Sequence, residues 1–373
     1  MSAGRFRLGH AEGRDWKAVC AQILAQLDQP QEAETLGLLY LSDHFAADID
    51  DIHDFLRERT GVPHWVGTTG IGICATGREY FDTPAIAAMT GRVPLDAMRF
   101  LDTARRGASR FIAAERDWLT AAGAPFGIVH ADPRDPALTA TLTALTDEAQ
   151  AFLVGGLTSS RGRHGQIADR ISEGHLSGVL LSPDVAVATG LSQGCTPIGP
   201  RRRITRAEAN IIAEIDERPA LDVLREDIGE LLARDLNRIA GYIFAALPVT
   251  GSDSQDYLVR NLMGIDVDQG LVAIAETVSA GDAILFCRRD AQSAEEDLAR
   301  MLEDVRRRLP HPPRGALYHS CLARGPNQFG PDSAELRQVC DVLGDVPLVG
   351  FFANGEISGS RLYSYTGVLT VFL

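Results

Sequence analysis

The sequence predicts an α/β protein of two domains, each a mixed sheet flanked by helices and built from repeated β-α-β-β units. An α+β sandwich is the alternative, because strand-turn-strand elements imply antiparallel pairs. Three observations carry this. The chain has 373 residues, more than one core holds at roughly 150 residues per domain. A short apolar run, a polar loop, an amphipathic helix and a second apolar run recur along it. Three of the second runs end in the same pair: Val66-Gly67, Val154-Gly155 and Val349-Gly350.

The elements follow in order. Residues 36–41 are a continuous apolar run bounded by Ser42-Asp43, hence a strand. Ile49, Ile52, Phe55 and Leu56 keep helical spacing, and Gly61 and Pro63 stop that helix. Residues 126–130 are a strand; Asp135 is the expected N-cap of a helix that has Pro136 at its first position and runs to about Gln150. A third pass opens on a strand at 283–287, followed by a helix to about Leu309; a fourth overlaps it from 317, with a helix from about Pro331 to Leu343. Such units suggest internal duplication, although any α/β chain alternates in this way. Between the halves, 176–181 and 185–191 flank Ser182-Pro183-Asp184, which reads as a hairpin. Residues 204–215 are ambiguous between strand and helix, Pro219 opens a helix, and 251–254 read as a loop. The domain boundary is placed near residues 215–250, giving domains at 30–220 and 221–373.

Composition excludes several functions. A formal charge of −14 and a pI near 5.1 repel phosphate backbones and anionic lipid heads, so no nucleic-acid partner is expected. Six scattered cysteines without a CxxC pair argue against a zinc ribbon or a redox motif and for a reduced, cytoplasmic protein. Neither a signal-peptide core nor an apolar run long enough to span a bilayer is read, so no membrane insertion is expected.

Catalytic and cofactor motifs fail on context. Gly190-Leu191-Ser192-Gln193-Gly194 has the spacing of a nucleophile elbow, but Pro197 and Pro200 stand where its helix belongs. Gly70-Ile71-Gly72 resembles a dinucleotide turn, but no helical stripe follows. His319 and Cys321 share a strand face by alternation, and with Glu356 they form a candidate base, thiol and orienter. No close histidine pair suggests zinc; a single axial haem ligand stays open.

Taken in order, several segments resemble the FIST family, a FIST N region followed by a FIST C region. They are Val66-Gly67-Thr68-Thr69-Gly70, Phe152-Leu153-Val154-Gly155-Gly156, Gln193-Gly194-Cys195-Thr196-Pro197 and Ile204-Thr205-Arg206-Ala207-Glu208. Denser marks follow at Ser320-Cys321-Leu322-Ala323-Arg324-Gly325 and Pro347-Leu348-Val349-Gly350-Phe351-Phe352-Ala353-Asn354-Gly355-Glu356. The resemblance implies a small-ligand-binding sensory protein of signal transduction rather than an enzyme. Amino acids are the ligands proposed for the family, and the chain is expected to signal through a separate output protein. Some family members look like haem-based nitric-oxide sensors acting on a kinase or cyclic-di-GMP enzyme, and this is the alternative; a cysteine-dependent enzyme is another. The residues suggest a site. Glycine-flanked turns offer backbone N–H groups, Arg324 beside Gly325 suits a carboxylate, and Glu356 after Gly355 suits an ammonium. A buried Arg–Glu pair, or two unrelated loop charges, is the other reading of these two residues. The candidate ligand-binding set is Gly67, Thr68, Gly155, Gly156, Gln193, Cys195, Cys321, Arg324, Gly325, Gly355 and Glu356.

Overall fold

A computed structural model describes residues 4–27, 33–249 and 257–373; the loop expected at 251–254 lies outside them. The chain divides into two compact units: Met1–Gln193 with Glu295–Leu373, and Gly194–Ala294. These compact units are a different division from the sequence domains at 30–220 and 221–373: the second unit is inserted, in chain order, into the third of three structural repeats.

The first repeat runs β1 (Arg7–Glu12), α1 (Trp16–Gln26), β2 (Leu36–Ser42), α2 (Ile49–Thr60), β3 (His64–Gly70), the hairpin β4 (Gly72–Ala75) and β5 (Arg78–Phe81), then β6 (Ala85–Gly91). The second runs β7 (Met98–Asp102), α3 (Thr103–Ala114), α4 (Arg116–Ala122), β8 (Phe126–Ala131), α5 (Leu138–Asp147), β9 (Phe152–Leu157), the hairpin β10 (Gln166–Ala168) and β11 (Ile171–Ser172), then β12 (Leu176–Leu181). The third opens on β13 (Val187–Gln193).

The inserted unit contains β14 (Cys195–Pro197), β15 (Arg202–Glu208), β16 (Ile211–Ile215), β17 (Arg218–Pro219), α6 (Ala220–Ala233), β18 (Ile243–Pro248), β19 (Tyr257–Asp266), β20 (Leu271–Ile274) and β21 (Ala283–Arg289). Its antiparallel sheet closes on itself through β21 and β18. Leu221, Leu224 and Ile228 of α6 join Ile212 and Phe286 in its core. The ambiguous stretch at 204–215 is the hairpin β15–β16.

The third repeat resumes with α7 (Ala291–Arg308), β22 (Gly315–Cys321), α8 (Ala334–Leu343), β23 (Leu348–Ala353), the hairpin β24 (Glu356–Ser358) and β25 (Arg361–Tyr363), and β26 (Thr366–Phe372). The strand at 283–287, read as the start of a third pass, is thus β21 of the insertion; the repeat's own strands are β13 and, after the insertion, β22. The hairpin expected around Ser182-Pro183-Asp184 is not formed: β12 pairs β7 and β8, whereas β13 pairs β26. The turn carries the chain from one sheet to another.

Each repeat builds one six-stranded sheet, in which the second strand pairs in parallel with the third and antiparallel with the last: β2 with β3 and β6, β8 with β9 and β12, β22 with β23 and β26. The hairpins are exchanged in a cycle. β4 of the first repeat pairs β23 of the third, β24 of the third pairs β9 of the second, and β10 of the second pairs β3 of the first. The inner faces of all three sheets meet in one core, where Leu38 faces Val66, Ile128 faces Val154 and Leu317 faces Val349 at equivalent positions. Full burial of each such side chain contributes about 1.5–3 kcal/mol.

The repeated Val-Gly pair has a direct cause. Gly67, Gly155 and Gly350 sit opposite Leu39, Val129 and Tyr318 of the parallel neighbour. A Cβ at these glycines would lie 1.7, 1.8 and 1.8 Å from the partner's carbonyl oxygen. The strands close to pairing distance only because the side chain is missing.

Candidate functional site

Cys321 ends β22, and the chain turns through Leu322 and Ala323 to Arg324. Gly325 follows with φ 53° in the left-handed region; a Cβ there would lie 2.6 Å from the Phe352 ring and 3.1 Å from Glu79 Oε2. Arg324 is fully buried and donates from Nε to Glu335 Oε1 at 2.7 Å. Its other arm donates to Tyr318 Oη at 3.3 Å and Ser192 Oγ at 3.4 Å, and the guanidinium stacks over Phe329 at 4.8 Å. Glu335, on the first turn of α8, also accepts from Tyr318 Oη at 2.7 Å, Ser320 Oγ at 3.0 Å and Gly325 N–H at 2.8 Å. A buried ion pair holds only when its remaining donors and acceptors are met, as here. The carboxylate clamp expected of Arg324 is therefore filled from within the chain, by Glu335.

Glu356 lies across the strand pair from Gly156. The missing side chain at Gly156 is required, since a Cβ would meet Ala353 Cβ at 2.6 Å. Glu356 is fully buried, and its Oε2 accepts from Thr366 N–H at 3.1 Å and Thr366 Oγ1 at 2.7 Å. Burial pushes its carboxyl up to about 8, against the opposing pull of Thr366, Arg324 and the adjacent Cys321 thiol. Burial thus favours its protonated form. Burial, with the charge of Glu356, pushes the Cys321 thiol well up. The thiolate is the nucleophile, so this cysteine lacks the property that the thiol-enzyme reading requires. His319 does not serve it either: its Nε2 lies 3.2 Å from Tyr40 Oη.

Arg324 thus stands among three carboxyl groups: its partner Glu335, and Glu79 and Glu356, whose ionised forms its charge favours. Glu79, on β5, accepts from the Leu336 N–H of α8 at 3.1 Å, and its own N–H donates to Ser333 Oγ at 2.9 Å. Burial, then the charge of Glu335, pushes it up to about 7. Above it opens a cavity of about 670 Å³ between the β4–β5 hairpin and the segment leading into α8.

A second cluster escaped the sequence reading. Tyr40, His130 and His319 occupy the same position in the three repeats, one residue past the residue opposite the conserved-spacing glycine. All three are fully buried, and Tyr40 Oη lies 3.1 Å from His130 Nε2 and 3.2 Å from His319 Nε2. One phenol donates once, so one imidazole accepts from it and the other donates to it. Burial holds both rings neutral: His319 is pushed down to about 3, and His130 is lowered further by His319. The rings of Tyr40, His130, His319 and Phe351 pack with every centroid pair 5.5 to 6.1 Å apart. The signal that could have found this cluster is the register of the Val-Gly pairs.

The remaining candidates separate. Gly67 and Gly155 serve strand approach, and Thr68 Oγ1 lies 2.7 Å from Thr158 Oγ1 and donates to the Gly165 carbonyl at 3.0 Å. Gly355 adopts φ 133° with its carbonyl bonded to Leu157 N–H at 2.8 Å. Gln193 N–H donates to Asp297 at 2.7 Å. Cys195 lies in the inserted unit, buried, its carbonyl accepting from Tyr257 Oη. The structure therefore groups Cys321, Arg324, Gly325, Gly355, Glu356 and Gly156 at one end of the third repeat. Gln193 and Cys195, although close in sequence, fall in different units.

The comparisons with known proteins divide the chain near residue 220. The FIST N domain matches residues 35–218 and the FIST C domain residues 220–359. An uncharacterized protein of Mycobacterium tuberculosis is 33% identical over 325 residues, covering 83% of each chain. An uncharacterized protein of Mycobacterium bovis is 30% identical over 358 residues, covering 92% of this chain and 91% of its own. With both domains matched in order over most of its length, the chain belongs to the FIST family.

Proposed function

We propose that this protein is a sensor that binds a small polar ligand in the cytoplasm and passes the event to a separate signalling protein. FIST domains are regarded as small-ligand sensory domains of signal transduction, and both FIST domains are matched here. Amino acids are the first ligand class to test. One observation carries the reading: Glu79, its carboxyl pushed up to about 7 by burial and Glu335, lines a cavity of about 670 Å³. A titratable group shifted by burial and a named charge partner in a cleft is a candidate functional group. Among the described residues, no helix is long and apolar enough to cross a membrane.

A thermal-shift panel tests this with the twenty amino acids, small amines, small acids and haem. A ligand present at about a hundred times its Kd adds roughly 2.7 kcal/mol to the folded state, a shift of a few degrees in a chain of this size. A selective shift by one chemical class supports the sensor; no shift by any compound removes it.

A further inference from the structure

We propose that the cavity between the β4–β5 hairpin and α8 binds the ammonium group of a small ligand, with Glu79 at its floor and Asp332 at its rim as the receiving carboxylates. The inference rests on the sensor reading and names its site and ligand chemistry.

The lining is uneven in charge. Glu12, Glu79 and Asp332 face the cavity with Arg78 and Arg337. Arg78 is engaged: it lies 3.6 Å from Glu12 and stacks over Tyr80 at 5.3 Å. That leaves two carboxyls, Glu79 and Asp332, against the single guanidinium of Arg337. Asp332 and Ser333 hold the left-handed conformation at φ 64° and 59°, unusual for residues other than glycine, and turn this segment over the cavity. Tyr80, Phe81, Pro326 and Pro331 supply apolar walls for the body of the ligand. Underneath, Arg324 is hydrogen-bonded to Glu335, so it favours ionised Glu79 only through its charge and is outweighed there by burial and Glu335. An arriving ammonium supplies the missing charge, and the acid arm of a zwitterion has Arg337 within the same lining.

Binding is coupled to a proton. The groups facing Glu79 are Glu335 of α8, Arg324 of the preceding loop and Cys74 of β4, with Arg78 and Arg337 in the lining. Burial and Glu335 keep the carboxyl partly protonated up to about pH 7. An ammonium pairs with the ionised form, so affinity rises as the pH climbs through 7.

The test is calorimetric titration of the full chain with matched probes: phenethylamine, 3-phenylpropionate and phenylalanine, then putrescine and succinate. The amine-bearing probes are expected to bind, and the acids to bind at least tenfold more weakly. Glu79→Gln keeps an acceptor for the Leu336 N–H; it is expected to weaken amine binding about tenfold and to flatten the pH dependence between 6 and 8. Asp332→Asn, on the exposed rim, is expected to cost about threefold without changing that dependence. Equal binding of acids and amines overturns the proposal, as does amine binding that Glu79→Gln leaves intact at every pH. In the latter case a ligand is bound elsewhere and the sensor reading stands. Silence from these probes, together with a flat thermal-shift panel, removes both.

Discussion

The second and third repeats share a scaffold but finish it differently, and the contrast shows how one fold carries a structural end and a chemical one. In the second repeat, Asp132 follows β8 and is met at once by Arg134 at 2.6 Å, so its carboxyl falls to about 2. In the third, Cys321 takes the place of Asp132, and the arginine three residues on turns inward to Glu335. Glu356 is then left with Thr366 and rises to about 8. A carboxylate with its own arginine is fixed in one state, whereas one beside a committed arginine keeps a proton to exchange.

The largest expected effect tests what the repeats share. Gly155→Ala and Gly350→Ala each force a Cβ into a carbonyl oxygen of the neighbouring strand, so both are expected to exceed 4–5 kcal/mol and to yield no cooperative unfolding transition. A mild effect in one of them, measured by denaturant unfolding, would break the equivalence of the repeats.

The next test bears on the difference. Glu335→Leu strands a fully buried guanidinium and is expected to destabilise by about 3–5 kcal/mol. Arg134→Ala removes a cation that is 61% exposed from a buried Asp132 that keeps the backbone N–H donors of residue 134 and Gly174, so it is expected to cost about 1–2 kcal/mol, less than the Glu335 variant. Comparable losses would mean that the two ends are built alike.

The pH limbs should also separate. Asp132 is lowered in the folded state, so its contribution is present above the usual carboxylate range and is lost as the pH falls towards 2. Glu356 is raised, so its contribution is full below that range and is lost as the pH climbs through 8. Asp132→Asn is expected to flatten the acid limb of a stability–pH curve and Glu356→Gln the alkaline limb. The smallest effect is kinetic: Cys321, with its raised thiol, is expected to react with iodoacetamide more slowly than free cysteine at pH 7.5. A faster reaction would return the thiol-enzyme reading to consideration.

Much of this was legible in the residues. The Val-Gly pairs marked three second strands, and Gly61 closed α2 at φ 70° as its position promised. The proximity of Arg324, Cys321 and Glu356 was legible from glycine-flanked turns. The partner of Arg324 was not, because Glu335 reaches it from α8 and looks like an ordinary polar helix position. The Tyr40, His130 and His319 cluster was hidden for a related reason. Lone aromatic and histidine residues on three strands gain meaning only when register brings them together. The insertion was invisible too, because β21 and α7 imitate the opening of a repeat.

The cyclic hairpin exchange has a consequence for how such a chain can be taken apart. A single repeat cut free would carry a third strand with a bare edge and a hairpin with nothing to cover. Neither end of that exchange can be satisfied within the fragment. Three identical fragments, each lending its hairpin to the next, would close the same ring as a homotrimer.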